Sequence, residues 1–394
     1  MCTHANQGTG YARVANKITN YLVTLPNVEV AYYAFQNFPG QSIDDRFIDE
    51  RIKFYDAVAI DPDAPKGFGD AGILPAIEAE KPDLLFLYND LPVTNALLKL
   101  IPKELMPKKV FVYLDVVYPY QSLKMYNELK SYNVDKIIVF SEYWRKHLVE
   151  DMKFPTEQID VMYHGLDYER FTFKDQKECK KKYGFKEDDY IVLNMNRNSY
   201  RKMQSVCLEA FVEFLQMNDM NEKIKLYLGC MIDAPDSYNI PMTLSKICLQ
   251  RNLDMETIMT KHVFITSRPT MMPEEEINTI YNMGDVGINT CCGEGFGLTN
   301  IEHLFFNKPQ IVTGIPALKD VMQDMALFVE PLTYITMFNF EHHVGDIAIT
   351  SSSDFAKLLD KCYKEKITQP LGNEYVKERF SWTHMYDKLK QIIV

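Results

Sequence analysis

The feature that most constrains this chain is a rhythm running from end to end, in which short apolar runs rich in β-branched residues alternate with stretches of helical period. Runs at 28–35, 84–88, 110–114, 136–140 and 159–162 read as strands, and 11–23, 91–100, 123–132 and 142–150 read as amphipathic helices between them. After a pause over 171–183, where charge rises, the rhythm restarts. Strands are then expected at 190–194, 224–228, 263–265, 286–289 and 310–312, with helices at 206–217, 242–252, 274–283 and 299–306. Strands that are apolar almost throughout are buried on both faces, which is the habit of parallel sheets covered by helices on each side.

The expected fold is therefore α/β with two Rossmann-like domains, and 394 residues is a comfortable length for two cores. The expected boundaries are 1–172 and 173–372, with 373–394 a helix that packs back on the first domain. One local feature breaks the pattern. Gly8-Thr-Gly10 looks like the turn that follows the first, central strand of such a domain, yet only six residues, Met1 to Asn6, stand before Gln7 and that turn. They are too few for a central strand, so the first strand is expected to be missing in part, with the natural chain beginning upstream of Met1.

Composition narrows the function. A net charge of −11 and a pI near 5.3 leave no basic footprint for a nucleic acid, and the lysine-rich run at 177–182 reads as a solvated helix face. No apolar stretch approaches the ~20 residues of a membrane span, and no signal peptide is expected. The eight cysteines show neither C-x-x-C pairs nor zinc-ligand spacing. Buried thiols in a reducing cytoplasm are the expectation (host cytoplasm if the source is viral), with no metal site and no cofactor.

Two loops carry the chemistry. Gly293-Glu-Gly-Phe-Gly297 follows the strand at 286–289 and opens the helix at 299–306. Glycines there let a ligand approach the backbone, and a helix start offers unpaired N–H groups to a phosphate; a ligand-free tight turn is the plain alternative. Thr299-Asn-Ile-Glu302 has the spacing of a capping box, so Glu302 could serve only the helix. Glu294, a carboxylate within a glycine loop, points instead to whatever the loop binds. The second loop, Asn194-Met-Asn-Arg-Asn-Ser-Tyr-Arg-Lys202, leaves the carboxyl end of the strand at 190–194, where open α/β sheets bind ligands. Its cations suit a diphosphate, although a solvated loop would look similar.

The spacing Glu294-x7-Glu302 resembles the E-x7-E signature of retaining GT-B glycosyltransferases, especially glycosyltransferase family 4 (glycosyl transferases group 1). The resemblance extends over most of the chain. Tyr163-His-Gly-Leu-Asp167 with Arg170-Phe171, Tyr281-Asn-Met-Gly-Asp285, Asn307-Lys-Pro-Gln-Ile-Val312 and Phe380-Ser-Trp382 are similar to family segments in family order. The asparagine-rich 194–202 run is particularly like members from large DNA viruses. The resemblance implies a GT-B fold, two Rossmann-like domains facing a central cleft, and transfer of a hexose-type sugar from a UDP- or GDP-sugar to a glycan, lipid-linked or other hydroxyl acceptor. It implies retention of configuration without a metal.

Residue by residue, it implies that Arg197 and Lys202 hold the donor diphosphate, that Glu302 holds ribose hydroxyls, and that Glu294 contacts the transferred sugar. Backbone groups from Phe296 through Gly297 and Leu298 to Thr299 would cradle phosphate or sugar, with Asn196 and Gly295 beside them. Gly8 and Gly10 would line the opposite side, and Arg268 would lie near the base. Asp115 stands where many members carry a histidine that assists the reacting sugar; a turn or N-cap role is its alternative.

Rival readings are a metal-dependent glycosyltransferase using Asp61-Pro-Asp63 after the apolar run 57–60, and a dinucleotide enzyme using Gly8-x-Gly10-x-x-Arg13. A nucleotide-sugar epimerase, or a nucleotide-sugar-binding module without transfer activity, completes the alternatives.

Overall fold

The computed structural model describes the chain except for residues 39, 41–45, 233–236, 267–271, 338–343 and 394. It divides into two compact units. One holds Met1–Gly165 with Trp382–Val394, the other Leu166–Phe338 with Asp346–Ser381.

In the first unit, β1 (Cys2–Thr3), β2 (Ala31–Phe35) and β3 (Lys53–Asp56) form one parallel sheet. A second contains β4 (Leu84–Asp90), β5 (Lys109–Asp115), β6 (Lys136–Val139) and β7 (Ile159–Val161), in that order. The first residue joins them: the Met1 ammonium donates to Phe86 O at 2.7 Å, and Tyr88 N donates to Met1 O at 3.1 Å. The central place, expected to lack its strand, is therefore held by two strand residues and one more backbone pairing. A cavity of about 750 Å³ lies at the amino end of β1, lined by Val30, Tyr32, Leu85, Phe86 and Ile18 among others. Burial pushes the Met1 amine down to about 6.

The helix Gly10–Leu22 starts after Thr9, whose hydroxyl accepts from Ala12 N, and buries Val14, Ala15, Ile18 and Leu22. β3, Lys53-Phe-Tyr-Asp56, has a charged residue at each end and escapes a search for apolar runs. The neighbouring 57–60 segment is a short helix capped by Asp56, not a strand. Asp61 and Asp63 therefore do not stand at a strand end, and the metal-dependent rival loses its geometry.

The second unit contains β8 (Tyr190–Asn194), β9 (Ile224–Leu228), β10 (Val263–Ile265), β11 (Val286–Asn289), β12 (Gln310–Thr313) and β13 (Leu327–Val329). They form a parallel sheet in the order β10-β9-β8-β11-β12-β13. Chain order therefore reverses between β8 and β11, and a crevice opens outside their carboxyl ends at such a switch point. Helices Gln204–Met217 and Ser352–Glu365 bury Phe211, Phe214, Phe355 and Leu359 in the core under this sheet. β14 (Thr333–Met337) and β15 (Gly345–Ile349) form a separate two-stranded sheet, and Ala348 N of β15 donates to Cys292 O of the loop after β11 at 2.8 Å.

The segment expected as one C-terminal helix is two. Gly372–Arg379 belongs with the second unit and Trp382–Ile393 with the first, where Tyr386 stacks on Tyr21 at 4.1 Å. Leu166 N donates to Phe380 O at 2.7 Å, so the two strands of chain that change units are tied together.

Candidate functional site

The loops after β8 and β11 leave the sheet on either side of the switch point, and buried amides shape the first of them. Asn194 Oδ1 accepts from both Asn196 N and Asn196 Nδ2 at 3.0 Å, and its own Nδ2 donates to Gln204. Asn198 exchanges bonds with the backbone of Tyr238 and donates to Met231 O. Side-chain amides here replace backbone partners that the irregular chain cannot supply. The loop then closes in a 3-10 turn, Tyr200–Lys202, ended by Met203 in the left-handed region at φ 48°.

That turn fixes which cations face inward. Arg201 and Lys202 both reach Glu294: Arg201 Nη1 lies 3.1 Å from Glu294 Oε1 and also donates to Gly293 O at 2.7 Å, and Lys202 Nζ bonds Oε2. The contact is nearly dry, with Lys202 8% exposed and Glu294 7%. Burial alone would raise the Glu294 carboxyl, but the two cations outweigh it and hold the group at about 2. The β11 loop grips the same turn from behind, since Thr290 donates to Lys202 O and Cys292 N donates to Arg201 O. The cation that the resemblance singles out, Arg197, is exposed on the same loop, and it is Arg201 that reaches Glu294.

Beyond Glu294, Gly297 sits at φ 87° and starts the helix Leu298–Leu304. A side chain at Gly297 would be strained and would meet Leu318. Phe296 is buried, and the N–H groups of Leu298 and Thr299 precede the first intrahelical bond, Asn300 N to Gly297 O. Thr299 is inside the helix, not its cap, and its hydroxyl donates to Asn196 Oδ1 at 3.2 Å, which joins the two loops.

The capping-box reading of Thr299 and Glu302 is thus not what forms. Glu302 is 3% exposed and instead accepts from the Tyr281 hydroxyl at 2.5 Å. Tyr281 comes from the helix Glu274–Met283 and stacks on His303. Behind them a ladder of amides runs across the sheet: Asn289 to Asn300, Asn300 to Gln310, and Gln310 to His303 Nδ1. Burial, with Lys308 nearby, pushes His303 down to about 3, so it stays neutral and keeps an acceptor for Gln310.

Asp115, Gly8 and Gly10 belong to the first unit. Asp115 ends β5 and accepts from the Tyr11 hydroxyl at 2.6 Å. Gly8 is exposed, and Gly10 opens the helix that Thr9 caps. His164, from the Tyr163-His-Gly segment, is buried between the hydroxyls of Tyr113 (2.8 Å) and Tyr88 (3.3 Å), and burial pushes it to about 3. Arg268 lies outside the described residues. Among the described residues, no group of three or more His, Cys, Asp or Glu could hold a metal ion, and no helix is long and apolar enough to cross a membrane.

The fold built on these loops has close counterparts. Sucrose-phosphate synthase from Thermosynechococcus elongatus superposes with a TM-score of 0.67 at 14% identity, over 97% of this chain and 91% of that one. WaaG, a glycosyltransferase involved in lipopolysaccharide biosynthesis, gives 0.63 at 12% identity, over 97% and 95%. HepE from Anabaena, solved in complex with UDP and glucose, gives 0.62 at 12% identity, over 83% and 81%. The fold is the GT-B glycosyltransferase fold. In sequence, the alpha-monoglucosyldiacylglycerol synthase of Streptococcus pneumoniae is 27% identical over 198 residues, 49% of this chain and 40% of that protein, so the match spans less than half of the relative. No protein-family model matches the chain.

Proposed function

We propose that this chain is a glycosyltransferase that takes a sugar from a nucleoside diphosphate carrier. The observation that carries the reading is the Arg201–Lys202–Glu294 cluster at the switch point between β8 and β11, beside a glycine-opened helix start. Arg201 and Lys202 are placed to accept the negative charge that grows on the departing diphosphate, and Leu298 and Thr299 N–H groups add to it. These fixed charges would do the work a divalent cation does elsewhere, so transfer is proposed to need no metal. Glu302, held by Tyr281, would take the ribose hydroxyls, and Glu294 the hydroxyls of the transferred hexose.

Retention of configuration is proposed from the Glu294-x7-Glu302 spacing. Arg197 is proposed as a third cation for the diphosphate, and Asp115 as a group assisting the reacting sugar. A UDP-sugar is the favoured donor, because HepE binds UDP and glucose within the same fold. A lipid-linked acceptor is favoured over a free glycan by the pneumococcal relative's name. Eight buried free thiols support a reducing, cytoplasmic setting.

A thermal-shift panel of UDP-, GDP- and ADP-sugars tests the reading, since a ligand that binds only the folded state raises Tm. One class is expected to raise Tm in the wild type and not in Arg201→Ala. No rise with any of the three would overturn it.

A further inference from the structure

Glu294 presents one oxygen to each of two cations: Oε1 to Arg201 and Oε2 to Lys202. All three side chains are largely withdrawn from water, at 21%, 9% and 9% exposure for Arg201, Lys202 and Glu294. A diphosphate held by Arg201 and Lys202 would draw on the same two positive charges, and its oxygens are also anionic. Two anionic groups cannot share one dry pair of cations within about 4 Å without strong repulsion, because screening there is weak. Protonation offers no escape, since the carboxyl stays ionised down to about pH 2. Repulsion therefore favours departure of the carboxylate when a diphosphate arrives, and Gly293 and Gly295 on either side of it place no β-carbon in the way of a change in backbone angles.

We propose that Glu294 is a built-in counter-anion, seated on Arg201 and Lys202 until a nucleoside diphosphate displaces it, and released to the hydroxyls of the donor sugar. This rests on the glycosyltransferase reading and deepens it. The exchange couples the two halves of donor recognition. A diphosphate without a sugar must evict Glu294 and gives it no new partner, whereas an intact nucleotide sugar supplies hydroxyls that donate hydrogen bonds to its carboxylate. The site thereby disfavours the spent nucleoside diphosphate relative to the donor, which helps product leave.

The test is titration calorimetry of the full chain and its Glu294→Gln variant with inorganic pyrophosphate, UDP and UDP-glucose, with melting curves to confirm that both proteins are folded. The proposal expects the variant to bind pyrophosphate and UDP about tenfold more tightly than wild type, which corresponds to about 1.4 kcal/mol. It also expects the preference for UDP-glucose over UDP to shrink by a similar factor. Equal or weaker binding of UDP and pyrophosphate by Glu294→Gln would overturn the counter-anion while leaving the glycosyltransferase reading intact. If neither protein binds pyrophosphate or any UDP-, GDP- or ADP-sugar, both fall. A second measurement does not depend on the variant's folding: a crystal structure of the wild type with UDP should show Glu294 off both cations, and finding it still on them would refute the exchange.

Discussion

Acidification offers a quantitative test of two buried histidines, one in each unit. His164 and His303 are 4% and 2% exposed, and burial pushes both from 6.5 to about 3. In the unfolded chain each takes up a proton near pH 6.5, whereas in the folded protein each resists until about pH 3. Their contribution is fully present above pH 6.5 and is lost as pH falls toward 3. At pH 5 the unfolded form is favoured by about 2 kcal/mol per histidine, or about 4 kcal/mol for both, against a typical total of about 5–15 kcal/mol. His4 and the Met1 amine are also lowered and act in the same direction.

The assay is urea unfolding between pH 7.5 and 5, where most carboxylates of the unfolded chain stay ionised. Both tryptophans, Trp144 and Trp382, lie in the first unit, so fluorescence reads that unit and far-ultraviolet circular dichroism reads the whole chain. The unit containing His164 should lose stability with a slope near 1.4 kcal/mol per pH unit below pH 6 from that residue alone. His164→Phe leaves Tyr113 its bond to Met162 O and should remove that part of the slope. A fluorescence-detected stability that is flat from pH 6.5 to 5, or a slope unchanged in His164→Phe, would refute the reasoning.

Other expectations follow from single contacts. Tyr281→Phe removes the hydroxyl that Glu302 accepts from; a lost bond to a buried charged group costs about 1.5–3 kcal/mol of stability, so the variant should melt several degrees below wild type, and an unchanged melting point would show that this bond does not hold Glu302 in place. Extending the chain by four apolar residues ahead of Met1 would continue the β1 register along residues 29–32 and fill the neighbouring cavity. Such a variant should melt several degrees above one extended by Gly-Ser-Gly-Ser, at about 2–4 °C per kcal/mol, and equal melting points would show that the slot does not accept a strand.

The parts legible in the sequence were those that depend on long apolar runs. The strands around 84–90, 109–115 and 190–194 are buried on both faces and announce themselves. β1 and β3 do not, because one is two residues long and the other is four residues with a charge at each end. At the site, the glycine loop and the cation-rich loop were visible, but spacing cannot tell which cation turns inward. The Tyr200–Lys202 turn and the left-handed Met203 decide that, and they favour Arg201. The capping-box pattern of Thr299 and Glu302 misled for a related reason: long-range partners, Asn196 and Tyr281, outcompete the local one. The amide ladder from Asn289 to His303 joins residues of two strands and a helix, and nothing local in the sequence marks them as neighbours.

The most direct test of the central claim is the release of UDP from UDP-glucose, followed in EDTA with and without a lipid acceptor, for the wild type and for Arg201→Ala and Lys202→Ala. Measurable release by the wild type is expected despite the chelator, with a loss of roughly 10²–10³ in turnover for each variant, assayed at a temperature where circular dichroism shows it folded. Wild-type turnover in a folded Lys202→Ala protein would contradict it.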